Sequence, residues 1–485
     1  MRTAWAVLVS LLVLVAAGCG GEDVGLGEQR GAELLRTGAL VYWESSSDPG
    51  SDQWNQVEEL IRRFPDGEKW IRQLRTEFEK ETDVTWEEAK DALGDELVVA
   101  VYATSAEEDP VFVGLTNPDD TNKTVEVVRK LNASEDGDDA VTRVVDDWVA
   151  ISDKETSIDA ALKAEGGQAL ADDEGFKAGM EELPDDSLSR VYVDVAAALD
   201  VFGAADPGTR DMLRTLGLDG LDFAGAWAKA KDEGAELAFT LRGEGANRLL
   251  GAGDPYASQL LERVPEDAFA FYSFRGDAAK EQFQRFQDNP LYSMGLREFE
   301  RELGIQVSEL VNLFDGEVVF YSRPGAPIPE ITLLLDSANP ADARQSAERV
   351  LRAIAERTGG EVTEDGDITT AMFDGFAVSV GTVEGAVVLT TSKGAFAELA
   401  KEGDKLPESD RYKEALDAAG APEQYTGLAW VDLAQVVTLV LGYGASSGQD
   451  IPESVTRNLE PLRSLVVFGE EDGDLASSLV FVEIE

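Results

Sequence analysis

Three short segments of the 485-residue chain occur twice, in the same order. The pairs are 92–99 (ALGDELVV) with 313–320 (LFDGEVVF), 117–120 (NPDD) with 339–342 (NPAD), and 192–195 (YVDV) with 430–433 (WVDL). The offsets are 221, 222 and 238 residues, measured from Glu96 to Glu317, from Asn117 to Asn339 and from Asp194 to Asp432. Because order and spacing are kept, the chain is predicted to contain two copies of one unit.

The two predicted units are unit 1 at residues 36–248 and unit 2 at residues 260–485. The offset grows by 16 residues (238 − 222) between the second and third pairs. Unit 2 has two strand-like runs in that interval, whereas unit 1 has one clear run at 148–152. An extra hairpin near residues 370–391 of unit 2 is therefore predicted.

Hairpin signals indicate the fold class. Asp-Gly pairs flanked by alternating apolar residues are typical of tight β-turns; they occur at Asp136-Gly137, Asp365-Gly366 and Asp472-Gly473. Consecutive hairpins favour an α+β fold of mainly antiparallel sheets with helices packed on one side, and they argue against a doubly wound parallel sheet. No glycine-rich phosphate-binding motif is present, so no nucleotide cofactor is expected.

The amino terminus resembles a bacterial lipoprotein signal. Residues 4–18 form an apolar run interrupted only by Ser10, which is too short for a permanent membrane span. The sole cysteine, Cys19, follows Ala-Ala-Gly as in a lipobox. This predicts a signal peptide at 1–18, lipidation of Cys19, an acidic flexible tether at 19–35 and attachment to the extracytoplasmic face of a bacterial cell membrane. The alternative is an ordinary signal peptide with an incidental cysteine.

The charge excludes several functions. The chain has 95 acidic and 42 basic residues, a formal net charge of -53 and no histidine. Such a field repels nucleic acids and anionic lipid head groups. Without histidine, the usual nucleophile pairs and most catalytic zinc sites are absent, so an enzyme is not expected. The acidic surface is also compatible with a high-salt habitat.

Two aspartates at equivalent positions could in principle bind a metal ion or act as acid and base. Asp194 and Asp432 each follow a predicted strand and precede a helix-forming run, which favours helix capping instead. Gln435 lies at capping-box spacing from Asp432. The apolar stretch 428–441 is interpreted as a buried strand followed by a buried helix. No metal site is predicted, because no acidic cluster has the calcium-loop pattern.

Asp146, Asp147 and Trp148 form the one candidate ligand-binding group. An aromatic ring beside two carboxylates is found in many carbohydrate sites. A hairpin turn before a buried tryptophan explains the same residues, because aspartate favours turns.

With these motifs, the chain resembles a bacterial family of predicted envelope lipoproteins of unknown function that contain a duplicated α+β unit. The resemblance implies an envelope location and no particular activity, and it assigns no functional residues.

We therefore expect a lipid-anchored extracytoplasmic protein that binds a ligand or protein partner, whose identity the sequence leaves open, without catalysis. One alternative is a carboxylate-based glycan hydrolase that uses Asp146 and Asp147. Another is a carrier that holds an apolar molecule between a curved sheet and its helices.

Overall fold

The computed structural model describes residues 29–48, 50–103, 109–133, 140–205, 217–250, 253–277, 306–325, 328–401, 403–446 and 451–485, with a few positions between these ranges. The predicted signal peptide, Cys19 and residues 20–28 of the predicted tether lie outside the described residues, as does the Asp136-Gly137 turn.

The first half of the described chain contains eight strands and seven α-helices. The strands are β1 Val41–Ser46, β2 Glu96–Tyr102, β3 Val111–Thr116, β4 Val141–Val145, β5 Trp148–Ser152, β6 Ser189–Asp194, β7 Leu221–Lys231 and β8 Gly234–Gly243. The helices are α1 Asp52–Arg63, α2 Gly67–Thr82, α3 Trp86–Leu93, α4 Thr121–Ala133, α5 Glu155–Ala161, α6 Glu174–Met180 and α7 Val195–Ala205. Capping residues in the local sequence set where helices begin. Helix α3, for example, begins at a capping box formed by Thr85 and Glu88.

The second half contains the remaining described elements. The strands are β9 Ala270–Arg275, β10 Glu317–Arg323, β11 Glu330–Leu335, β12 Glu361–Asp365, β13 Ile368–Phe373, β14 Phe376–Val383, β15 Ala386–Thr390, β16 Gly427–Asp432, β17 Leu462–Asp472 and β18 Leu475–Ile484. The helices are α8 Ala246–Leu249, α9 Val307–Val311, α10 Pro340–Thr358, α11 Gly394–Leu399, α12 Asp410–Ala419, α13 Leu433–Ser446 and α14 Glu453–Leu459. Asn339 caps α10, and Gly359 ends it in the left-handed conformation.

The 18 described strands form one sheet, and their pairings are antiparallel. The first half has the order β4-β5-β3-β2-β1-β6-β7-β8. Strand β18 pairs with β8, and the second half continues as β18-β17-β16-β9-β10-β11-β15-β14-β13-β12. The predicted mixed α+β class with antiparallel strands is confirmed, as are the turns at Gly366 and Gly473, which both have positive φ.

Helices cover both faces of the sheet, so the prediction of helices on one side is wrong. The closed face, which carries Tyr42, Val98, Val319 and Trp430, packs against α5, α6, α11 and α12 in two hydrophobic cores. We call the opposite face the open face, because helices cover only its two ends. It packs against α1 to α4 at one end and against α10 at the other. The reason is visible in β2, whose alternating positions are apolar on both sides and need cover on both.

Between helix α10 and strand β16, the second half has four strands. This is two more than the first half has between α4 and β6. Strand β15 pairs with β11 as β5 pairs with β3, and β14 then pairs with β15 as β4 pairs with β5. The additional pair is therefore β12 with β13. It lies nearer the amino terminus than the predicted hairpin at 370–391, because the turn at Gly375 divides the predicted strand-like run in two.

The segment before β1 is docked on the first half. Residues 30–33 form a 3₁₀ turn, and Ala32 and Leu35 are fully buried in the closed-face core. Leu35 and Arg36 also form isolated bridges with Leu162 and Ala169. The last residues of the predicted tether, 30–35, are thus part of the folded body, because their apolar side chains complete its core.

Candidate functional site

The three candidate ligand-binding residues lie at the hairpin between β4 and β5. Asp146, with a φ of 53°, and Asp147 are exposed turn residues between the paired Val145 and Trp148. The Trp148 side chain is only 4% exposed and belongs to the closed-face core. Its ring is therefore packed against protein rather than presented to a sugar beside the two carboxylates.

The two equivalent aspartates cap helices. The Asp194 carboxylate accepts a hydrogen bond from the Ala197 N–H at 2.8 Å, and Asp432 accepts one from the Gln435 N–H at 2.8 Å. Asp432 also pairs with Arg411. The capping interpretation is confirmed, although the capping box is incomplete because the Gln435 side-chain oxygen has no hydrogen-bond partner.

Among the described residues, no group of three or more histidine, cysteine, aspartate or glutamate side chains is arranged to hold a metal ion. Nor does that part of the chain contain a helix long and apolar enough to cross a membrane.

The apolar stretch that follows β16 is not a buried helix. Leu428 and Trp430 of β16 are buried as predicted. Helix α13, however, has no charged residue, none of its residues 433–444 is buried, and Val440 is 58% exposed. The helix contacts β16, β17 and α14, but its described side chains stay at least partly exposed, so the prediction of burial is wrong for this helix. Helix α7, which occupies the same place after β6, exposes Phe202 in the same way.

A buried ion pair that the sequence interpretation missed lies on the closed face of the first half. Glu44 on β1 and Arg190 on β6 pair in register, and both side chains are fully buried. The Arg190 Nε donates to Glu44 Oε1 at 2.7 Å, and the Tyr42 hydroxyl donates to Glu44 Oε2 at 2.7 Å. Arg190 Nη1 also donates to Asp185 at 2.6 Å. A charged residue within each apolar strand was the available signal, but the partners are far apart in sequence.

Glu96 and Glu317, the repeated glutamates, hold the segment that precedes each half. Glu317 accepts hydrogen bonds from the N–H groups of Gln259 at 2.9 Å and Leu260 at 3.1 Å, and from the Ser258 and Ser273 hydroxyls. We call these contacts the Glu317 clamp.

Glu96 makes a looser version of this contact, here called the Glu96 clamp. It accepts from the Gly31 N–H at 3.4 Å and lies 3.9 Å from the Arg30 guanidinium. Burial, and next the nearby Glu44 carboxylate, raise the pKa of Glu96 to about 7. The hydrogen bond from the Gly31 N–H, and next the charges of Arg30 and Arg190, oppose that shift without cancelling it.

A cavity of about 570 Å³, lined in part by Gln29, opens beside the ion pair. Lys177, Met180, Leu183 and Asp185 are among its lining residues. Its lining carries charges of both signs, and we assign no ligand to it.

No described helix covers the centre of the open face, where the halves meet. We define the central patch as Leu237 and Phe239 of β8 with Ser478 and Val480 of β18, which pair across the junction. Leu237 is 42% exposed and Phe239 is 47% exposed. These strands lie in the middle of the sheet, where apolar side chains normally pack against another layer.

Three helices lie beside the central patch without closing it. Helix α1 packs Leu60 against Ala230 and Ile484 at one end of the junction strands. Helix α7 lies on β7, and its first residue, Val195, packs with Leu241 at the other end. Helix α13 lies on β17. The patch is therefore an apolar surface bordered by two largely apolar helices, α7 and α13, and by the charged helix α1.

Comparison with known proteins identifies no family. No protein-family model matches the chain, and no curated protein matches it. Three solved structures of TP0453, in crystal forms III, I and IV, are weakly similar, at 13%, 12% and 10% identity with TM-scores of 0.25, 0.25 and 0.24. The matches cover 48%, 46% and 47% of this chain and 80%, 79% and 94% of those chains.

Proposed function

We propose that the protein is a lipid-anchored extracytoplasmic protein that binds an apolar molecule on the central patch and catalyses no reaction. The observation that carries this proposal is the exposure of Leu237 and Phe239 in the middle of the sheet. An apolar ligand would remove these side chains from water, which is favourable by about 25 cal/mol per Å² of buried apolar surface.

The apolar carrier is preferred to the glycan hydrolase because of where the residues lie. The hydrolase would need two carboxyl groups across a cleft and an aromatic face for the sugar. Asp146 and Asp147 are instead neighbours on an exposed turn, and Trp148 is buried behind them.

Binding can be tested with Nile red, whose fluorescence rises in apolar surroundings. The mature protein is compared with a Leu237→Thr/Phe239→Thr variant, since threonine keeps strand propensity while removing apolar surface. The expected result is a loss of affinity of about tenfold or more. Val144→Thr on edge strand β4 is the matched control, because Val144 is 49% exposed and far along the sheet from the junction. Equal affinity in all three proteins would refute the proposed site.

The anchor is part of the same proposal and has its own test. In detergent-phase partitioning, we expect the wild-type protein in the detergent phase and a Cys19→Ala variant in the aqueous phase, because no other cysteine can be acylated. Detergent partitioning that persists in the variant would contradict lipidation of Cys19.

We further propose that the chain arose by tandem duplication. Support comes from the strand orders, which correspond from β1 with β9 through β8 with β18 apart from the added β12 and β13. The clamp glutamates and the capping aspartates support it as well, since they recur at matching strand positions.

A further inference from the structure

We infer that the ligand of the central patch is a membrane lipid with acyl chains and a head group of no net negative charge. This inference rests on the proposed function and adds the chemical class of the ligand.

The patch itself offers apolar contact and almost no hydrogen bonding. Three of its four side chains are hydrocarbon, and the neighbouring positions on β7 that share its face are Ala226 and Ala228. A row of such side chains across antiparallel strands suits a flexible hydrocarbon chain, whose binding needs area rather than directed polar contacts.

The charge at one end of the patch is acidic. Glu471 on β17 lies on the same face, paired with Ala476, and one of its oxygens is buried without a partner. Glu244 and Asp474 line a small recess of about 200 Å³ beside it. An anionic head group at this end would meet like charges in a chain whose formal net charge is -53.

A cation at the other end of the patch, Arg63 of α1, is engaged within the protein. The Arg63 guanidinium donates to the backbone carbonyl oxygens of Asp232 and Ile484, and so helps to fix the turn between β7 and β8. It is thus committed to backbone groups rather than offered to a phosphate. The electrostatic balance at both ends favours a zwitterionic or uncharged head group.

The bilayer is the apolar reservoir closest to the patch. The stretch from Cys19 to Gln29 reaches at most about 35 Å when fully extended. A body anchored at Cys19 therefore stays within one tether length of the membrane, where diacyl lipids are the most abundant apolar molecules.

Lipid transfer between vesicles tests this inference. The anchored protein is reconstituted in donor vesicles, and the movement of an acyl-labelled fluorescent lipid to acceptor vesicles is followed. Labelled phosphatidylcholine and labelled phosphatidylglycerol with the same chains are compared. We expect phosphatidylcholine to move about tenfold faster, with the preference reduced at high salt because the repulsion is screened. The Leu237→Thr/Phe239→Thr variant should transfer neither lipid, whereas Val144→Thr should match the wild type.

The outcomes separate this inference from the proposed function. Equal or faster transfer of phosphatidylglycerol would overturn the head-group assignment. Nile red binding without transfer of either lipid would overturn the lipid assignment and leave apolar binding standing. The absence of both Nile red binding and lipid transfer would refute the proposed function itself.

Discussion

Glu44 and Arg190 in the first half occupy the same strand positions as Ser273 and Leu428 in the second. Glu44 pairs with Val98 and Arg190, and Ser273 pairs with Val319 and Leu428. One half therefore buries an ion pair where the other buries a hydroxyl and a hydrocarbon side chain. The same closed face is built in both cases, which teaches that the ion pair is not required for this arrangement of strands.

The two clamps also differ, in the number of hydrogen bonds that each glutamate accepts. The Glu317 clamp is dense, with four hydrogen bonds that include two backbone N–H donors. The Glu96 clamp is sparse and lies near the Glu44 carboxylate. The first half thus buries two acids and one cation close to the segment that precedes β1, whereas the second half has Ser273 and Leu428 in place of the ion pair and a clamp with more hydrogen bonds.

The largest expected effect comes from breaking the ion pair. Arg190→Met leaves the buried Glu44 charge without its cation, which costs about 3–5 kcal/mol in the free energy of unfolding. Leu428→Met at the equivalent position is the matched control and should cost less than about 1.5 kcal/mol. Urea unfolding followed by tryptophan fluorescence and circular dichroism measures both.

A double variant makes the comparison sharper. Glu44→Ser/Arg190→Leu places the second half's residues in the first half, and it should be more stable than Arg190→Met because no charge stays buried. If the double variant were as unstable as the single one, the cost would come from lost volume rather than from the uncompensated charge.

Elements whose signals lie close together in the chain were predicted well from sequence. The Asp365-Gly366 and Asp472-Gly473 turns and the Asp194 and Asp432 caps depend on neighbouring residues, and the structure has them. The burial of α13 was predicted wrongly, because its apolar composition does not say whether a second layer covers it. The central patch was not predicted for the same reason. The alternation in β8 places the apolar residues Leu237 and Phe239 on one face, but their exposure depends on where helices from distant parts of the chain pack.

The ion pair was missed for a related reason. Glu44 and Arg190 are brought together only by the pairing of β1 with β6, which are separated by six α-helices and four strands. The clamp glutamates were found as a repeated motif, yet their role depends on segments that fold back from the amino-terminal side of each half.

The second expected effect distinguishes the two clamps by pH. Glu317→Gln places an amide N–H₂ against donors, so about 2–3 kcal/mol should be lost in the free energy of unfolding.

Glu96→Gln should behave differently, because the pKa of Glu96 in the folded protein is raised to about 7 from the usual 4.5. The folded state binds this proton more tightly than the unfolded state does. The stability that the proton contributes is therefore fully present below pH 4.5 and is lost as the pH rises through about 7.

Glutamine at position 96 imitates the protonated acid at every pH. Glu96→Gln should accordingly match the wild type within about 0.5 kcal/mol near pH 4.5 and exceed it by about 1–3 kcal/mol at pH 8, where the wild type keeps a charge in a buried site. The difference between wild type and variant is taken from urea unfolding at half-unit pH steps, which cancels the titration of the other acidic residues. A Glu96→Gln variant that loses stability at pH 8, as expected for Glu317→Gln, would mean that the two clamps are equivalent and that the Glu96 carboxylate is held charged by Arg30 and Arg190.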